Sequence, residues 1–189
     1  MKIGLFFGTF NPLHNGHKTI ASYMANYSDI DRVIFVISPM SPFKQKAEIL
    51  EKEHRFKIIK MGINDNSKLQ VSDIEFNMPQ PSYTFDTLIK IKSQNPENDY
   101  IIIMGADNLN DFYMWKNYKQ ILENYNIYIF PRPGFKIEKK HPNIKLIEGC
   151  PLMNISSAVI RQSIKSNIDV SYLIPKKSWQ YISLMNFYK

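Results

Sequence analysis

The sequence predicts an α/β fold in which helices cover both faces of a mostly parallel, doubly wound sheet. Two observations support this prediction. Short apolar runs, typical of strands that are buried on both faces, recur along the chain, and stretches of helical periodicity lie between them. Strands that alternate with helices along one chain form a parallel sheet with right-handed crossovers.

The apolar runs define the candidate strands. The four clearest runs cover residues 2–7, 32–37, 100–104 and 126–130. Two weaker candidates lie at residues 69–76 and 144–147. Helical periodicity predicts helices between and after these strands, at residues 17–27, 49–63, 83–93, 108–124, 156–166 and 178–186.

The 189 residues are expected to form one domain, because no linker rich in Gly, Pro or Ser divides the chain. The last two predicted helices form a helical C-terminal part at about residues 156–189. The single cysteine, Cys150, excludes an internal disulfide and a zinc site built from several cysteines. It also agrees with a reducing cytoplasm.

The charge balance favours anionic partners. Lys and Arg number 24 against 17 Asp and Glu, which gives a net charge of +7. Such an excess suits phosphorylated small molecules, nucleic acid or anionic lipid, unless the lysines only solubilise the surface. The apolar runs are shorter than the roughly 18 residues that span a bilayer, and the first residues do not resemble a signal peptide. We therefore expect a cytoplasmic protein without a membrane partner.

Four loops follow predicted strands or lie near their ends, where open parallel sheets bind ligands. They cover residues 8–17, 38–46, 105–107 and 131–134. The first loop has the sequence GTFNPLHNGH. Gly8 allows a tight turn at its start, and Pro12 stiffens it.

His14 and His17 lie three residues apart at the start of a predicted helix, so they face the same side of a turn. The first N–H groups of a helix attract phosphate. Two imidazoles at this position can donate hydrogen bonds to phosphate oxygens, more strongly when they are protonated. A metal site and chance spacing are the alternatives, although no third metal ligand is evident nearby. The dinucleotide-binding glycine pattern and the P-loop pattern are absent.

Residues 155–161, with the sequence ISSAVIR, form a second candidate phosphate motif. Ser156 or Ser157 is a suitable N-cap for the helix that follows, and Arg161 lies just over one turn along it. A helix start, a serine pair and a guanidinium together suit a polyphosphate. The alternative is an ordinary capped helix with an arginine on its surface.

GTFNPLHNGH and ISSAVIR resemble, in their order and separation, the two signature motifs of nucleotidyltransferases that carry an HxGH sequence. In that superfamily the two histidines bind the nucleotide triphosphate. The segments between the motifs resemble one branch, the bacterial nicotinate-nucleotide adenylyltransferases. The resembling segments are SPFK at 41–44, Arg55, PSYTFDTL at 81–88, GAD at 105–107 followed by Trp115, PRPG at 131–134 and LIP at 173–175.

The resemblance implies a Rossmann-like fold and an enzyme of NAD biosynthesis. The enzyme would transfer the adenylyl group of ATP to nicotinate mononucleotide, giving nicotinate adenine dinucleotide (deamido-NAD) and pyrophosphate. Mg²⁺ would accompany ATP and be held mainly by the substrate phosphates, with no metal ligand from the protein. The partners would be ATP and nicotinate mononucleotide, without nucleic acid, and the chain could form a homo-oligomer.

The resemblance also assigns residues to roles. The catalytic residues would be His14, His17, Lys44 and Arg161. The residues that contact ATP would be Gly8, Thr9, Phe10, His17, Gly105, Asp107, Ile155, Ser156, Ser157 and Arg161. The residues that contact nicotinate mononucleotide would be Thr9, Asn11, Lys44, Tyr83, Thr84, Trp115 and Arg132.

Several of these residues suit their roles chemically. Trp115 offers a flat face for a pyridine ring, although it could equally be a core residue. The N–H groups of Tyr83 and Thr84, where a helix should start, could hold the nicotinate carboxylate and so separate acid from amide. Asp107, just after a strand, could accept hydrogen bonds from ribose hydroxyls. Two cations on loops near the same edge could bind phosphates, namely Lys44 and Arg132.

Three positions depart from the family pattern: Asn11 replaces a common aspartate, Phe43 a histidine, and Ala158 a threonine. Pantetheine-phosphate and nicotinamide-mononucleotide adenylyltransferases remain as enzyme alternatives. Aminoacyl-tRNA synthetases share the histidine signature, but this chain is too short and lacks their second motif. A basic nucleic-acid-binding module is the alternative without enzymatic activity.

Overall fold

The computed structural model describes residues 1–39, 49–135 and 141–189. Its strands are β1 (Lys2–Gly8), β2 (Arg32–Ile37), β3 (Leu69–Ser72), β4 (Asp99–Gly105), β5 (Asn126–Phe130) and β6 (Ile144–Leu146). They form one sheet in the order β3-β2-β1-β4-β5-β6, and every neighbouring pair is parallel. This strand order is that of the doubly wound Rossmann fold, so the predicted fold class is confirmed.

The described helices alternate with the strands, as expected. They are α1 (Asn15–Tyr27), α2 (Lys52–Ile63), α3 (Thr84–Gln94), α4 (Ala106–Phe112), α5 (Tyr118–Asn124), α6 (Ser157–Lys165) and α7 (Lys176–Leu184). Among the described residues, a 3-10 turn at Ile74–Asn77 lies between β3 and α3, and another at Ser171–Leu173 lies between α6 and α7. In the part of the chain that the structure describes, no helix combines the length and apolar character needed to cross a membrane.

The core consists of two layers, one on each face of the sheet. Alternate residues of β4 point to opposite faces, so Ile101 and Ile103 join one cluster and Ile102 joins the other. The first cluster includes buried side chains of α1, α2, α6 and α7, and the second includes those of α3, α4 and α5. The segment at about 156–189 therefore packs on the same core as α1 and α2.

Two predicted elements were wrong in their extent. The helix predicted at 108–124 is interrupted between α4 and α5, where Asn117 has a left-handed backbone with φ 56°. The strand predicted at 69–76 ends at Ser72 and is followed by a 3-10 turn. The apolar alternation of Ile74 and Phe76 resembles a strand, but β3 lies at the sheet edge and the buried carboxylate of Glu75 bonds to α3 instead.

Candidate functional site

Two adjoining cavities lie at the carboxyl ends of β1, β4 and β5. The sheet order changes direction between β1 and β4, and open α/β proteins bind ligands at such a switch point. The cavities have volumes of about 430 and 520 Å³. They share four lining residues: Thr9, His17, Arg132 and Ser157. Together they form one crevice.

The two histidines of the first motif lie together at the start of α1. His14 is the N-cap, and its Nδ1 accepts a hydrogen bond from the His17 backbone N–H at 3.3 Å. The two rings stack with their centroids 3.6 Å apart. His17 lines both cavities, and the Phe10 ring packs edge-on against it at 5.0 Å. The loop therefore presents both imidazoles to the same crevice.

His14 is a neutral imidazole at neutral pH. Burial, together with the charge of Arg132, lowers its pKa to about 4. Because its Nδ1 accepts a hydrogen bond, the proton of the neutral ring lies on Nε2. His14 can therefore donate a hydrogen bond from Nε2 without carrying a charge, and protonation does not strengthen it at pH 7.

The second motif is hydrogen-bonded directly to the first. Ser156 is the N-cap of α6, and its Oγ accepts from the Val159 backbone N–H at 3.2 Å. Ser157 Oγ donates to the carbonyl of Pro12 at 2.9 Å, and Arg161 Nη1 donates to the carbonyl of Asn11 at 2.9 Å. These bonds bring together residues about 145 to 150 positions apart in the chain. The second cavity is lined by both motifs, with Ile155, Ser156, Ser157, Ala158 and Arg161 on one side.

Arg132 and Asp107 lie together on the first cavity. Arg132 Nε lies 3.5 Å from Asp107 Oδ1, and its Nη1 donates to the Met153 carbonyl at 3.1 Å. Its guanidinium also lies 5.6 Å from the centre of the Phe130 ring. These contacts restrict the guanidinium at the boundary of the two cavities. Gly105 is the N-cap residue of α4, and a side chain there would collide with the Asp107 carboxylate.

The start of α3 forms another wall of the first cavity. Tyr83 is the N-cap of α3 and Thr84 its first residue, and both line the cavity with Trp115. The N–H groups of this first turn have no partners within the helix and suit an anion. Trp115 lies in the turn after α4, with its ring 5.5 Å from that of Phe112. The break in the predicted helix thus brings Trp115 to the cavity.

Sequence analysis did not identify Glu75, which lines the same cavity and is buried. Its carboxylate accepts hydrogen bonds from Ser82 Oγ at 2.6 Å and from Thr87 Oγ1 at 2.9 Å. Burial raises the pKa of this carboxyl group, whereas hydrogen bonds from the hydroxyls of Ser82, Thr87 and Ser38 lower it. Glu75 thereby ties the segment before α3 to the helix itself. Its position within an apparent strand pattern concealed this role.

Arg55 is fully buried and supports the loops around the site. Its guanidinium donates to the main-chain carbonyls of Leu50, Thr9, Ser38 and Pro39, at 2.7 to 2.9 Å. Burial lowers its pKa to about 10, so it stays charged at neutral pH. The residue therefore joins the loops that follow β1 and β2. The resemblance pointed to this arginine, but its contacts follow only from the tertiary structure.

Asn11 is buried, lines the second cavity and connects the loop after β1 to two distant parts of the chain. Its Oδ1 accepts hydrogen bonds from the Leu50 backbone N–H at 3.2 Å and from Tyr188 Oη at 2.8 Å.

Lys44 and Phe43 lie outside the described residues. Across residues 1–39, 49–135 and 141–189, no group of three or more His, Cys, Asp or Glu side chains could hold a metal ion.

The fold, the crevice and the two joined motifs define a nucleotidyltransferase-like site. A family model described as cytidylyltransferase-like matches residues 5–163. A protein named "Probable nicotinate-nucleotide adenylyltransferase" from Flavobacterium johnsoniae is 44% identical over 193 residues, which cover 100% of both chains. One of the same name from Christiangramia forsetii is 45% identical over 192 residues, covering 100% of this chain and 98% of the other. The chain therefore belongs to the nicotinate-nucleotide adenylyltransferase family.

A solved structure supports the fold assignment. The Plasmodium falciparum nicotinic acid mononucleotide adenylyltransferase complexed with NaAD superimposes with a TM-score of 0.86 at 24% identity. The match covers 99% of this chain and 97% of that chain. At this identity the likeness concerns the fold.

Proposed function

We propose that this chain transfers the adenylyl group of ATP to nicotinate mononucleotide, giving deamido-NAD and pyrophosphate, in NAD biosynthesis. The observation that carries the proposal is the junction of the two phosphate motifs. Ser157 and Arg161 each donate a hydrogen bond at 2.9 Å to the main chain of the loop that holds His14 and His17. Close relatives that bear the corresponding enzyme name support the same reaction.

The reaction is an in-line displacement that needs no strong general base. The 5′-phosphate of nicotinate mononucleotide attacks the α-phosphorus of ATP, a new P–O bond forms, and pyrophosphate leaves with the electrons of the broken P–O bond. A phosphate monoester has a second pKa of about 6, so it is already largely ionised at pH 7. Positioning of the two phosphates and stabilisation of charge would supply the acceleration.

The second cavity and its boundary would hold the triphosphate. His14 would donate from Nε2 as a neutral imidazole, and His17 would donate from the same side of the crevice. The backbone of Gly8, Thr9 and Phe10 would lie along the phosphates. Arg161, with the N-terminal turn of α6 at Ile155, Ser156 and Ser157, would share the charge of the departing pyrophosphate. We assign Lys44 to the same group, as the resemblance implies.

The first cavity would hold the nucleoside parts. The backbone N–H groups of Tyr83 and Thr84 at the start of α3 would bind the nicotinate carboxylate, and the ring of Trp115 would pack on the pyridine. Asp107 would accept from ribose hydroxyls of the ATP moiety. Arg132, at the boundary of the cavities, would bind the mononucleotide phosphate, and Asn11 would shape the wall beside it.

Mg²⁺ would enter with ATP and would be held by phosphate oxygens and water, where it neutralises charge on the triphosphate. The protein groups described at the crevice fit this arrangement. Arginines, the Nε2–H group of His14 and backbone N–H groups donate hydrogen bonds to phosphate oxygens. No protein metal ligand is assigned.

The acceptor is tested by supplying ATP and Mg²⁺ with one of three acceptors and measuring pyrophosphate release. The acceptors are nicotinate mononucleotide, nicotinamide mononucleotide and phosphopantetheine. We expect nicotinate mononucleotide to give the highest kcat/KM, because an anion-binding helix start favours the acid over the amide. Preference for phosphopantetheine or for the amide would overturn the proposed substrate. Salt-dependent RNA or DNA binding without ATP turnover would favour the nucleic-acid-binding alternative.

A further inference from the structure

The hydroxyl of Tyr188, close to the end of the sequence, reaches the loop that holds the two histidines. It donates to Asn11 Oδ1 at 2.8 Å, across a separation of 177 residues. The Leu50 backbone N–H donates to the same Oδ1 at 3.2 Å. Because a backbone N–H can only donate, the atom of the Asn11 side-chain amide that faces Leu50 is the oxygen and not the nitrogen. The Tyr188 hydroxyl therefore donates to an amide oxygen.

Asn11 transmits this contact to the phosphate motifs. Its own carbonyl accepts the hydrogen bond from Arg161 Nη1 at 2.9 Å, and the carbonyl of the next residue, Pro12, accepts from Ser157. Asn11 also lies three residues before His14. A displacement of the Asn11 side chain would therefore move the guanidinium of Arg161, which is proposed to bind phosphate. It would also move the turn that orients the imidazoles of His14 and His17.

The surroundings of Tyr188 hold it firmly in this position. Its backbone is left-handed, with φ 67°, which is costly for a large side chain and persists only where packing imposes it. The neighbouring Phe187 ring packs against His54 and Tyr181, with centroids 4.7 and 5.8 Å away. Phe187 N also donates to the Ile182 carbonyl at 3.1 Å. Burial raises the pKa of Tyr188, so its hydroxyl keeps the proton that it donates.

We propose that Tyr188 is a positioning residue for adenylyl transfer, which acts through Asn11 on Arg161 and on the histidine loop. This inference rests on the proposed function. Tyr188 is assigned no contact with the substrates. Its contribution is to hold the Asn11 side chain, and through it the main chain whose carbonyl accepts the hydrogen bond from Arg161.

The first test replaces Tyr188 by phenylalanine, which removes one hydroxyl and preserves the aromatic packing. One hydrogen bond of this kind corresponds to a change of roughly 2–10-fold. We expect Tyr188→Phe to lower kcat and to raise the KM for ATP within this range, and to raise the KM for ATP more than the KM for nicotinate mononucleotide. Tyr172→Phe is the matched control, because that side chain is 72% exposed, and we expect it to match the wild type. An unaltered kcat and KM for ATP in Tyr188→Phe would overturn the proposal.

A double-variant cycle tests whether Tyr188 acts through Asn11. In an Asn11→Ala background, Tyr188→Phe should cause no further loss of kcat, because the contact is already gone. If the two substitutions multiply their effects, Tyr188 does not act through Asn11 and the proposal is wrong. A purely structural role predicts a lower melting temperature without a selective change in the KM for ATP.

A binding measurement separates this inference from the proposed function. We would measure the Kd of a non-hydrolysable ATP analogue by calorimetry, without any acceptor. Tyr188→Phe should bind the analogue roughly 2–10-fold more weakly than the wild type and Tyr172→Phe. This result would support the positioning role even if the wild type released no pyrophosphate with nicotinate mononucleotide. Equal Kd values for all three proteins would count against the positioning role, whatever the acceptor.

Discussion

At the scale of single residues, the site relies on a buried histidine that is not charged. Protonation would place a cation next to Arg132 and away from water, and both effects disfavour the imidazolium form of His14. The ring is instead used as a hydrogen-bonded cap, with Nδ1 facing the His17 backbone N–H and Nε2 left as the donor. His17, which is only partly buried, is the other donor toward the crevice.

His17→Ala should slow turnover about 10²–10³-fold, because it removes one preorganised donor to the charge that develops on the phosphate oxygens. The effect on stability should be small, since the ring is only partly buried. Pyrophosphate release under saturating substrates measures the first effect and thermal unfolding the second. His141→Ala, a substitution at a histidine away from the crevice, is the control. Turnover close to that of the wild type would remove His17 from the mechanism.

The stability of the protein should fall as the pH falls from about 6.5 to about 4. In this window the unfolded chain binds a proton at His14 and the folded chain does not, so protonation favours unfolding. The difference between the two pKa values corresponds to a loss on the order of 3 kcal/mol. Urea unfolding at several pH values measures it.

His14→Asn is the matched variant for this experiment, because asparagine also caps helices but does not titrate. Its stability should decline less than that of the wild type over the same pH range. Glu75, whose pKa is raised by burial, contributes in the opposite direction in both proteins and cancels in the comparison. If the free energy of unfolding changes with pH in the same way in both proteins, the pH dependence does not come from the lowered pKa of His14.

At the scale of elements, three helix starts converge on the crevice and each is held by different contacts. The start of α1 is capped by His14, the start of α6 by Ser156, and the first turn of α3 is hydrogen-bonded to Glu75. Glu75 joins a 3-10 turn to α3 through two hydroxyl groups. The helix start that would bind the nicotinate carboxylate thus depends on the hydrogen bonds of a buried carboxylate that lines the same cavity.

Glu75→Ala should raise the KM for nicotinate mononucleotide more than the KM for ATP. The substitution removes the acceptor of the Ser82 hydroxyl and one of the acceptors of the Thr87 hydroxyl, and so loosens the start of α3. A loss of stability of about 1–3 kcal/mol should accompany it. Steady-state kinetics and urea unfolding measure both effects, with the exposed Glu97→Ala as control. Equal increases in the two KM values would show that Glu75 does not act through α3.

At the scale of the whole molecule, the sheet separates two apolar layers that must form together. The chain contains two tryptophans, and each packs against a different layer. Trp179 of α7 contacts the layer of α1 and α2, and Trp115 contacts the layer of α3, α4 and α5. Cys150 is buried in the first layer, where burial raises its pKa to about 11 and keeps the thiol protonated.

If the chain is a single domain, both layers should unfold in one transition. The variant Trp115→Phe leaves Trp179 as the fluorescent reporter, and Trp179→Phe leaves Trp115. For each variant, the urea midpoint from fluorescence should coincide with its midpoint from far-ultraviolet circular dichroism. A fluorescence midpoint that precedes the circular dichroism midpoint in either variant would indicate separate units. Gel filtration of the same proteins tests whether the chain forms a homo-oligomer.

The amino-acid sequence by itself determined the alternation of strands and helices, a serine cap at Ser156 or Ser157 and the two candidate phosphate motifs. These features depend on residues within a few positions of one another, so periodicity and local chemistry reveal them. The tertiary structure decided the break before Asn117, the burial of Glu75 and Arg55, and the contact between Tyr188 and Asn11. These features depend on which distant residues share a buried environment, because burial sets the free-energy cost of a polar group without a hydrogen-bond partner. The lowered pKa of His14 has the same origin, since burial disfavours its charged form.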